Sequence, residues 1–222
     1  MVQGRVLVEE AIASGLKVQE IYLRDGETDP AGARVVPFVL DARTFDSVSD
    51  TASPQGMLAV CAIPEPGPLQ VTQSHWYVVA DNVSDPGNMG TIIRSAEAAG
   101  AAGVILSGQS VDVWSPKTVR SSAGALFHVP VHSVGGLGEL RDVGLRVLGT
   151  SSHGDAVSLY DADLSGPVAL VLGNEAHGLP DDAPVDGWLT VPHAGRSESL
   201  NVAMAATVIA MHAARSRGQS SL

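Results

Sequence analysis

From residue 76 onward, short apolar runs recur along the chain, separated by helical or glycine-rich stretches. These runs read WYVVAD, GVILSG, FHVPV, RVLGTS, VALVLG and WLTVP. Strands that alternate with helices favour a mostly parallel sheet with helices on both faces. In such a sheet, the ligand crevice lies beyond the carboxyl ends of the strands. The pattern therefore predicts an α/β fold and places the functional loops at that edge.

The first 63 residues carry a separate set of helix and strand signals. VEEAIASGL predicts a helix ending at Gly15, and VQEIYLR, VVPFVLD and MLAVCAI predict strands. Three prolines, at positions 64, 66 and 68, then exclude a continuous helix or a central strand. We therefore predict a small α/β domain over residues 1–63, a linker over 64–75 and a larger domain over 76–222.

Composition limits the class of protein. With 222 residues, 45% of them hydrophobic, the chain can bury one domain-sized core and a smaller second one. No apolar run reaches membrane-spanning length, and the N-terminus MVQGRVLVEE lacks the basic start and apolar centre of a signal peptide. These features predict a soluble, cytoplasmic protein. The single cysteine, Cys61, lies in an apolar run and is predicted to be buried and structural.

The charge balance bears on nucleic-acid binding. A net charge of −11 argues against broad nonspecific attraction to nucleic acid, which usually needs a basic stripe. However, the segment VWSPKTVRSSAGALFHVP contains Lys117 and Arg120 and no acidic residue. A local basic spot on an acidic protein is therefore an open alternative.

The chain lacks the common cofactor and catalytic motifs G-x-G-x-x-G, G-x-x-x-x-G-K, H-E-x-x-H and G-x-S-x-G. Their absence disfavours a standard dinucleotide-binding enzyme.

The stretch DNVSDPGNMGTIIRSAEAAG joins the end of an apolar strand to a helix through an Asp-Pro-Gly turn. Asn88 is predicted to be the N-cap of this helix, which Gly100 ends. Arg94 then lies inside a helix that otherwise suits packing. A surface ion pair of Arg94 with Glu97 or Asp85 is the structural alternative to a functional role.

The stretch VALVLGNEAHGLPDD places Gly173, Asn174 and Glu175 at the end of a buried strand, with Gly178 following. Glycines here allow a backbone to approach a ligand closely or to take positive φ. An ordinary strand-to-helix turn is the alternative. Taken alone, this stretch does not decide between the two.

The stretch VPHAGRSESLNVAMAATVIAMHAARSR predicts a helix over 199–214 that is apolar on nearly every side, after the helix-starting residues 197–199. Such a helix is buried or lies in a subunit interface. Its N-terminus offers free backbone N–H groups to a ligand. Asn201 on this helix needs hydrogen-bond partners, and a satisfied core amide is the alternative to a functional role.

Three stretches belong together: NMGTIIR (N-x-G-x-x-x-R), LVLGNEAHGL and VPHAGRSESLNVAMA. In their order and approximate spacing, they resemble the three motifs of the SpoU (TrmH) family of RNA ribose 2′-O-methyltransferases, in the SPOUT superfamily. The resemblance covers about residues 76–215. SPKTVRSSAGALFHVPV is similar to the family's segment between the first two motifs. The family's small ribosomal-protein-like substrate-binding domain is resembled by two N-terminal stretches, VQGRVLVEEAIASGLKVQEIYL and SDTASPQGMLAVCAIP. Relatives have a further helix and strand before VQG. A truncated N-terminal domain is therefore an open alternative.

The resemblance implies an α/β domain whose C-terminal segment is threaded into a trefoil knot. It also implies S-adenosylmethionine as cofactor, RNA as partner and a homodimer, which would suit the apolar helix 199–214. Knots are so rare in proteins that the family resemblance alone supports this expectation.

The family's functional positions fall on specific residues of this chain. The catalytic positions are Asn88, Arg94, Glu175, Ser199 and Asn201. The cofactor-binding positions are Thr150, Leu172, Gly173, Asn174, Gly178, Val191, Pro192, Ser199, Leu200 and Ala203. Apart from these positions, we predict RNA binding by the basic residues Lys117, Arg120 and Arg196. His128 and His132 have no third ligand at metal-site spacing, and we predict no metal.

Arg94 is an unsuitable base, because a guanidinium holds its proton firmly. We expect it to clamp an RNA phosphate and to stabilise developing alkoxide charge. His177 and His193 lie in the second and third motif regions, where they could assist proton movement or cap loops.

Ribosomal RNA is the expected substrate for two reasons. The N-terminal domain resembles that of the family members that methylate ribosomal RNA, and the chain ends soon after the helix 199–214. The C-terminal extension of some tRNA enzymes is absent. Three alternatives stay open: a tRNA substrate, a noncatalytic RNA- or ribosome-binding protein with the same fold, and methylation of a small molecule or protein. The last is kept open by the pI of about 4.9.

Overall fold

The computed structural model describes residues 1–50, 54–151, 156–196 and 199–218. The N-terminal part forms a four-stranded sheet in the order β1-β4-β2-β3, in which only the β2–β3 pair is parallel. Its elements are β1 (Val2–Gln3), α1 (Arg5–Ala13), β2 (Val18–Arg24), β3 (Phe38–Leu40), α2 (Ala42–Val48) and β4 (Met57–Cys61).

The rest of the chain forms a seven-stranded sheet in the order β7-β6-β5-β10-β8-β11-β9. Its elements are β5 (Trp76–Asp81), α3 (Pro86–Ala98), β6 (Gly103–Ser107), α4 (Pro116–Ser121), β7 (Val131–Ser133), α5 (Gly138–Asp142), β8 (Arg146–Thr150), β9 (Val157–Ser158), β10 (Val168–Leu172), β11 (Gly187–Thr190) and α6 (Val202–Ser216). Every strand pairing in this sheet, within the described residues, is parallel. The predicted mostly parallel α/β sheet is confirmed.

The two faces of the central strands pack into two separate apolar clusters. In β5, Val78 belongs to the cluster that also contains residues of α3 and α6. Tyr77 and Val79, which point to the opposite face, belong to the cluster that contains Leu140 of α5. Because successive strand residues alternate between faces, a strand buried on both sides reads as a continuous apolar run. Helices therefore cover both faces of the sheet, as predicted.

Two predicted helix starts differ from the structure. Helix α3 begins at Pro86, and its N-cap is Asp85, whose carboxylate accepts a hydrogen bond from the Asn88 N–H at 2.9 Å. The prediction of Asn88 as the N-cap is therefore wrong, because proline fits the first helical position and Asp85 supplies the capping oxygen. Helix α6 begins at Val202 and is capped by Asn201. Residues 197–198, predicted to start it, lie outside the described residues.

The predicted strand FHVPV is also displaced. A 3₁₀ turn covers Ala125–Phe127, and strand β7 begins only at Val131. Pro130 has no N–H for a sheet ladder, so pairing starts after it. Cys61, predicted to be buried, is half-buried, and this partial burial raises the pKa of its thiol.

The two sheets are joined through side-chain packing. Val2 and Val8 of the N-terminal part belong to the same apolar cluster as Leu126 of the larger part. On the surface beside this cluster, His128 Nε2 lies 2.6 Å from Glu10 Oε1. The predicted linker therefore lies between parts that share one core. In the described part of the chain, no helix is long and apolar enough to span a membrane.

Candidate active site

The carboxyl ends of three strands, β5, β10 and β11, carry the sequence motifs. Strand β10 pairs with β5 on one side and with β8 on the other, and β11 pairs with β8. The loops that follow these strands consequently meet at one edge of the sheet. The first-motif loop follows β5, the second-motif loop follows β10, and the segment that leads into α6 follows β11.

Three polar side chains from the three motifs form a hydrogen-bonded line. Asn201 Nδ2 donates to Asn88 Oδ1 at 3.2 Å, and Asn88 Nδ2 donates to Glu175 Oε1, also at 3.2 Å. Asn201 Oδ1 in turn accepts from the N–H groups of Ala203 and Met204, at 2.9 and 3.2 Å. The first turn of α3, the loop after β10 and the start of α6 are thereby fixed relative to one another.

Glu175 is held as a carboxylate. Besides Asn88, its oxygens accept hydrogen bonds from the Asp85 N–H at 3.0 Å and from the Ser84 N–H and hydroxyl, both at 3.3 Å. Burial alone raises the pKa of Glu175, but the hydrogen bonds from Asp85, Glu175 itself, Asn88 and Ser84 outweigh it, and the pKa falls from 4.5 to about 2. A carboxylate with so low a pKa is a weak proton acceptor at neutral pH. The geometry gives Glu175 a positioning role.

The loop after β10 is closed by its own backbone. Asn174 and Gly178 exchange two backbone hydrogen bonds, of 2.9 and 3.2 Å. The Asn174 side chain donates to the Asn82 carbonyl at 2.9 Å and accepts from the N–H groups of Ala176 and His177. A Cβ on Gly173 would lie 2.4 Å from the Gly178 carbonyl carbon. Gly173 is therefore required for the closure of the loop itself.

A cavity of about 320 Å³ opens at this edge of the sheet. Its walls contain most of the residues predicted to bind the cofactor: Thr150, Leu172, Gly173, Asn174, Gly178, Val191, Ser199 and Leu200. Pro192 and Ala203 are not among its lining residues; Pro192 is exposed, and Ala203 is buried within α6. Sequence reasoning missed Leu189, Ala205 and Ile209, which also line it.

The basic residues lie in different settings. Lys117 is exposed and lies 3.6 Å from the Asp85 carboxylate. Arg94 and Arg196 are also exposed, and Arg94 forms no ion pair with Glu97, Asp85 or any other described residue.

Arg120, predicted to bind RNA, is partly buried at the junction of the two sheets. Arg94 is six residues beyond Asn88 on α3, about 9 Å along the axis and about 120° away around it. It does not line the cavity.

Supporting residues that the sequence did not single out include Ser84 and Asn82. Asn82 has a positive φ of 54°, and its side-chain oxygen accepts from the Gln109 N–H at 2.9 Å. The Asp-Pro-Gly turn was the signal that could have indicated Asp85 as a cap. His177 contributes its backbone N–H to the loop, and His193 Nδ1 lies 3.1 Å from the Val191 carbonyl oxygen. Within the described ranges, no group of three or more His, Cys, Asp or Glu side chains could hold a metal ion.

Comparison with known proteins identifies the family of this chain. Residues 75–211 match the SpoU rRNA Methylase family. The chain belongs to this family. Among SpoU relatives, it is 36% identical over 221 residues to the 23S rRNA (guanosine(2553)-2′-O)-methyltransferase RlmP of Bacillus subtilis, covering 96% of this chain and 87% of that protein. It is 39% identical to a 23S rRNA (uridine(2479)-2′-O)-methyltransferase of Streptomyces viridochromogenes, covering 67% of this chain and 55% of that protein.

Solved SpoU structures share the fold over nearly the whole chain. The SpoU methyltransferase AviRb from Streptomyces viridochromogenes, in complex with the cofactor AdoMet, superposes with a TM-score of 0.84 at 30% identity. That match covers 99% of this chain and 90% of AviRb. An AdoMet-bound rRNA methyltransferase from Sinorhizobium meliloti superposes with a TM-score of 0.82 at 28% identity, covering 96% of this chain and 86% of that chain.

Proposed function

We propose that this chain is an S-adenosylmethionine-dependent RNA ribose 2′-O-methyltransferase that acts on ribosomal RNA. The hydrogen-bonded line of Glu175, Asn88 and Asn201 carries this proposal, because it joins residues of all three motifs beside the cavity. The relatives named as 23S rRNA 2′-O-methyltransferases support the reaction and the class of RNA. Because the proposed substrate is ribosomal RNA, the proposal includes a cytoplasmic location.

The cavity fits a nucleoside cofactor. Its volume of about 320 Å³ lies in the range of small-molecule sites, and it combines apolar walls with a few polar groups. Leu172, Leu189 and Ile209 supply apolar surface, while Thr150 and the loop after β10 supply polar groups. S-adenosylmethionine bound there would supply the activated methyl group and its own leaving group. Within this fold, the proposal includes the trefoil-knotted threading of the C-terminal segment.

The chain's own residues orient the nucleophile and manage charge. Glu175, which lines the cavity, holds Asn88 and the first turn of α3 in place, and the Asn88 amide links Glu175 to Asn201. Because Arg94 is exposed and unpaired among the described residues, its guanidinium is free to clamp an RNA phosphate and to stabilise negative charge on the ribose oxygen. Alignment of the 2′-hydroxyl with the methyl group would account for much of the rate enhancement.

The homodimer belongs to this proposal. Helix α6 leaves Met204 and Met211 exposed, at 58% and 44%, and Leu200 just before it is also exposed. Large apolar side chains clustered on one helix face favour an interface with another chain. Because Arg94 does not line the cavity of its own chain, we propose that it serves the cofactor site of the partner subunit.

Transfer of a tritiated methyl group from S-adenosylmethionine tests the proposed function. The protein is incubated separately with 23S rRNA, 16S rRNA and tRNA from cells that lack its gene, and nuclease digestion then locates the label. We expect label in 23S rRNA as a 2′-O-methylated nucleotide. Label only in tRNA would replace the proposed substrate, and RNA binding without any methyl transfer would favour the noncatalytic alternative.

A further inference from the structure

A second cavity lies at the junction of the two sheets, separate from the cavity described above. Its volume is about 240 Å³. Gln3, Gly4 and Leu7 from the start of the chain line it on one side, and Arg120 of α4 lines it on the other. The volume is far above the roughly 15 Å³ that one water molecule needs. A single bridging water therefore cannot fill the space.

Three polar atoms at this junction are buried without partners. In the described part of the chain, neither Nε2 nor Oε1 of Gln3 has a hydrogen-bond partner, and neither does Nη1 of Arg120. Gln3 is only 8% exposed. A buried polar group without a partner costs about 1–3 kcal/mol, and a charged group costs more. Such groups are rare in native proteins, and each calls for a partner or another physical explanation.

The start of helix α1 adds further donors. Gly4 is its N-cap, with φ of 90°, and supplies no side-chain cap. The first N–H groups of a helix have no partner inside the helix, and they favour negative charge nearby. Gly4, Val6 and Leu7 of this first turn line the cavity. The junction therefore combines a guanidinium, an amide donor and a helix N-terminus with a buried acceptor, Gln3 Oε1, while Ser49 and Gln55 add polar groups to its lining.

These groups match one repeating unit of an RNA backbone. A phosphodiester offers only acceptors, which suit Arg120, Gln3 Nε2 and the start of α1. The neighbouring ribose 2′-hydroxyl is a donor, which suits Gln3 Oε1, and it is the group that distinguishes RNA from DNA. A phosphodiester alone would leave Gln3 Oε1 without a partner, so the adjacent 2′-hydroxyl completes the match.

The junction is also connected to the active-site edge. Arg120 lies on α4, where the neighbouring Ser121 hydroxyl donates to the Pro86 carbonyl at 2.8 Å. Pro86 is the first residue of α3, two positions before Asn88. At the other end of α4, Lys117 lies beside Asp85. A single RNA strand that follows α4 would therefore pass both regions.

We propose that this junction, which we call the seam site, binds one phosphodiester of the substrate RNA together with an adjacent 2′-hydroxyl. This inference rests on the proposed function for its choice of RNA. Because the three polar atoms are covered in the free protein, the site opens by movement of the surrounding side chains, and the exposed Gln55 at its rim is placed to move.

The test compares binding of 20-nucleotide oligo(U) and oligo(dU) to the full chain. We expect Gln3→Leu to weaken oligo(dU) binding about fivefold, because the contact of Nε2 with phosphate is lost, and to weaken oligo(U) binding further, because the contact of Oε1 with the 2′-hydroxyl is also lost. We expect Arg120→Met to weaken both and to reduce the slope of log K against log salt by about 0.7, the value for one phosphate on a single strand. Gln19→Leu, at an exposed glutamine, is the matched control.

Stability gives a second measurement. If the Gln3 amide has no partner in the free protein, Gln3→Leu should raise the melting temperature. A lower melting temperature with unchanged binding of both oligonucleotides would show that the amide is structural and would overturn the inference. Unchanged salt slope in Arg120→Met would also overturn it, and this variant decides alone if Gln3→Leu does not fold.

Inorganic phosphate tests whether the seam site binds a free phosphate ion or the phosphate group of an RNA strand. Sodium phosphate and sodium chloride are compared at equal ionic strength. If phosphate alone raises the melting temperature of the wild type but not of Arg120→Met, and neither variant changes oligo(U) binding, the seam site takes free phosphate and not RNA. Methyl transfer to 23S rRNA is measured in parallel. A protein that shows the expected oligonucleotide effects but methylates no RNA contradicts the proposed function and leaves the seam site standing.

Discussion

The two polar regions of this molecule differ in how their groups are satisfied. At the carboxyl edge of the large sheet, Glu175, Asn88 and Asn201 are linked in one hydrogen-bonded line. At the seam site, Gln3 and Arg120 contribute buried atoms without partners among the described residues. A satisfied network holds its geometry before a ligand arrives, whereas unsatisfied groups gain most when a ligand arrives. The active-site edge is thus organised within the chain, while the seam site is organised for an external partner.

The largest effect should come from breaking the loop after β10. In Gly173→Ala, the new Cβ would lie 2.4 Å from the Gly178 carbonyl carbon and 2.5 Å from the Leu179 nitrogen, both backbone atoms that cannot move independently. We expect loss of methyl transfer and loss of the rise in melting temperature that S-adenosylmethionine gives to the wild type. Thermal unfolding with millimolar S-adenosylmethionine measures the second effect.

Gly187→Ala is the matched control, because its Cβ would meet Leu148 Cδ2 at an ordinary 3.4 Å. It should retain the cofactor-dependent rise. An undiminished rise in Gly173→Ala would show that the closed loop is not needed to bind the cofactor.

The next largest effect is the loss of methyl transfer expected for Arg94→Ala. Since its side chain packs against no charged partner in the described structure, Arg94→Ala should leave the melting temperature and the cofactor-dependent rise unchanged. Methyl transfer should fall about 10²- to 10³-fold, as for the loss of other groups that stabilise transition-state charge. Single-turnover rates with saturating RNA measure the loss, and Glu97→Ala, also exposed on α3, is the control.

Mixed dimers test whether Arg94 serves the cofactor site of its own subunit or that of the partner subunit. Ala205→Phe is designed to fill the cavity from α6 and to block the cofactor, while Ala205→Ser keeps the space. Dimers with one Arg94→Ala subunit and one Ala205→Phe subunit would hold one doubly defective site and one intact site if Arg94 serves the partner. We expect recovery of about half of the wild-type activity per dimer. Mixed dimers as inactive as both parents would place Arg94 in its own subunit's site.

A smaller effect is expected for Glu175→Gln. Its folded pKa of about 2 is below the ordinary 4.5, so the carboxylate stabilises the folded state above pH 4.5, and this stabilisation is lost as pH falls from 4.5 to 2. Because Glu175 is exposed, we discount the effect to about 1 kcal/mol, or about 2–4 °C in melting temperature.

The difference between wild type and Glu175→Gln should therefore be largest at neutral pH and should vanish near pH 2. Urea unfolding at pH 7, 5 and 3 measures it, with Glu97→Gln as the exposed control. A constant difference across this range would mean that the charge on Glu175 does not hold the first turn of α3.

The local sequence was sufficient to predict strands whose position depends on their own residues alone. Strand β2 covers the predicted VQEIYLR. Strands β5 and β10 follow their apolar runs, because both are buried on both faces and a strand of that kind reads as a continuous apolar run. The meeting of the three motifs at one edge also followed from the parallel sheet. By contrast, the N-cap of α3 was misplaced by three residues, because Asp85 and Asn88 are both good capping residues and only the backbone path selects one.

The seam site could not be predicted in this way. Gln3 and Arg120 are far apart in the sequence, and neither has a distinctive neighbour pattern. Their proximity depends on how the two sheets pack, which side-chain periodicity does not determine. The prediction that Arg120 binds RNA came from charge alone and missed that its side chain is partly buried. Similarly, the contact between Asn88 and Asn201 depends on the path that brings α6 beside α3.

The smallest expected effect distinguishes an exposed cation from a buried one. Lys117 is exposed and its ion pair with Asp85 is long, at 3.6 Å, so Lys117→Met should change the melting temperature by less than about 1 °C. If RNA passes along α4, this variant should reduce the salt slope for oligo(U) and oligo(dU) equally, by at most about 0.7. Fluorescence anisotropy between about 50 and 200 mM salt would measure this change in slope. A variant that instead lost the preference for oligo(U) would move the recognition of the 2′-hydroxyl from Gln3 to the exposed end of α4, because a lysine that contacts only phosphate cannot tell the two backbones apart.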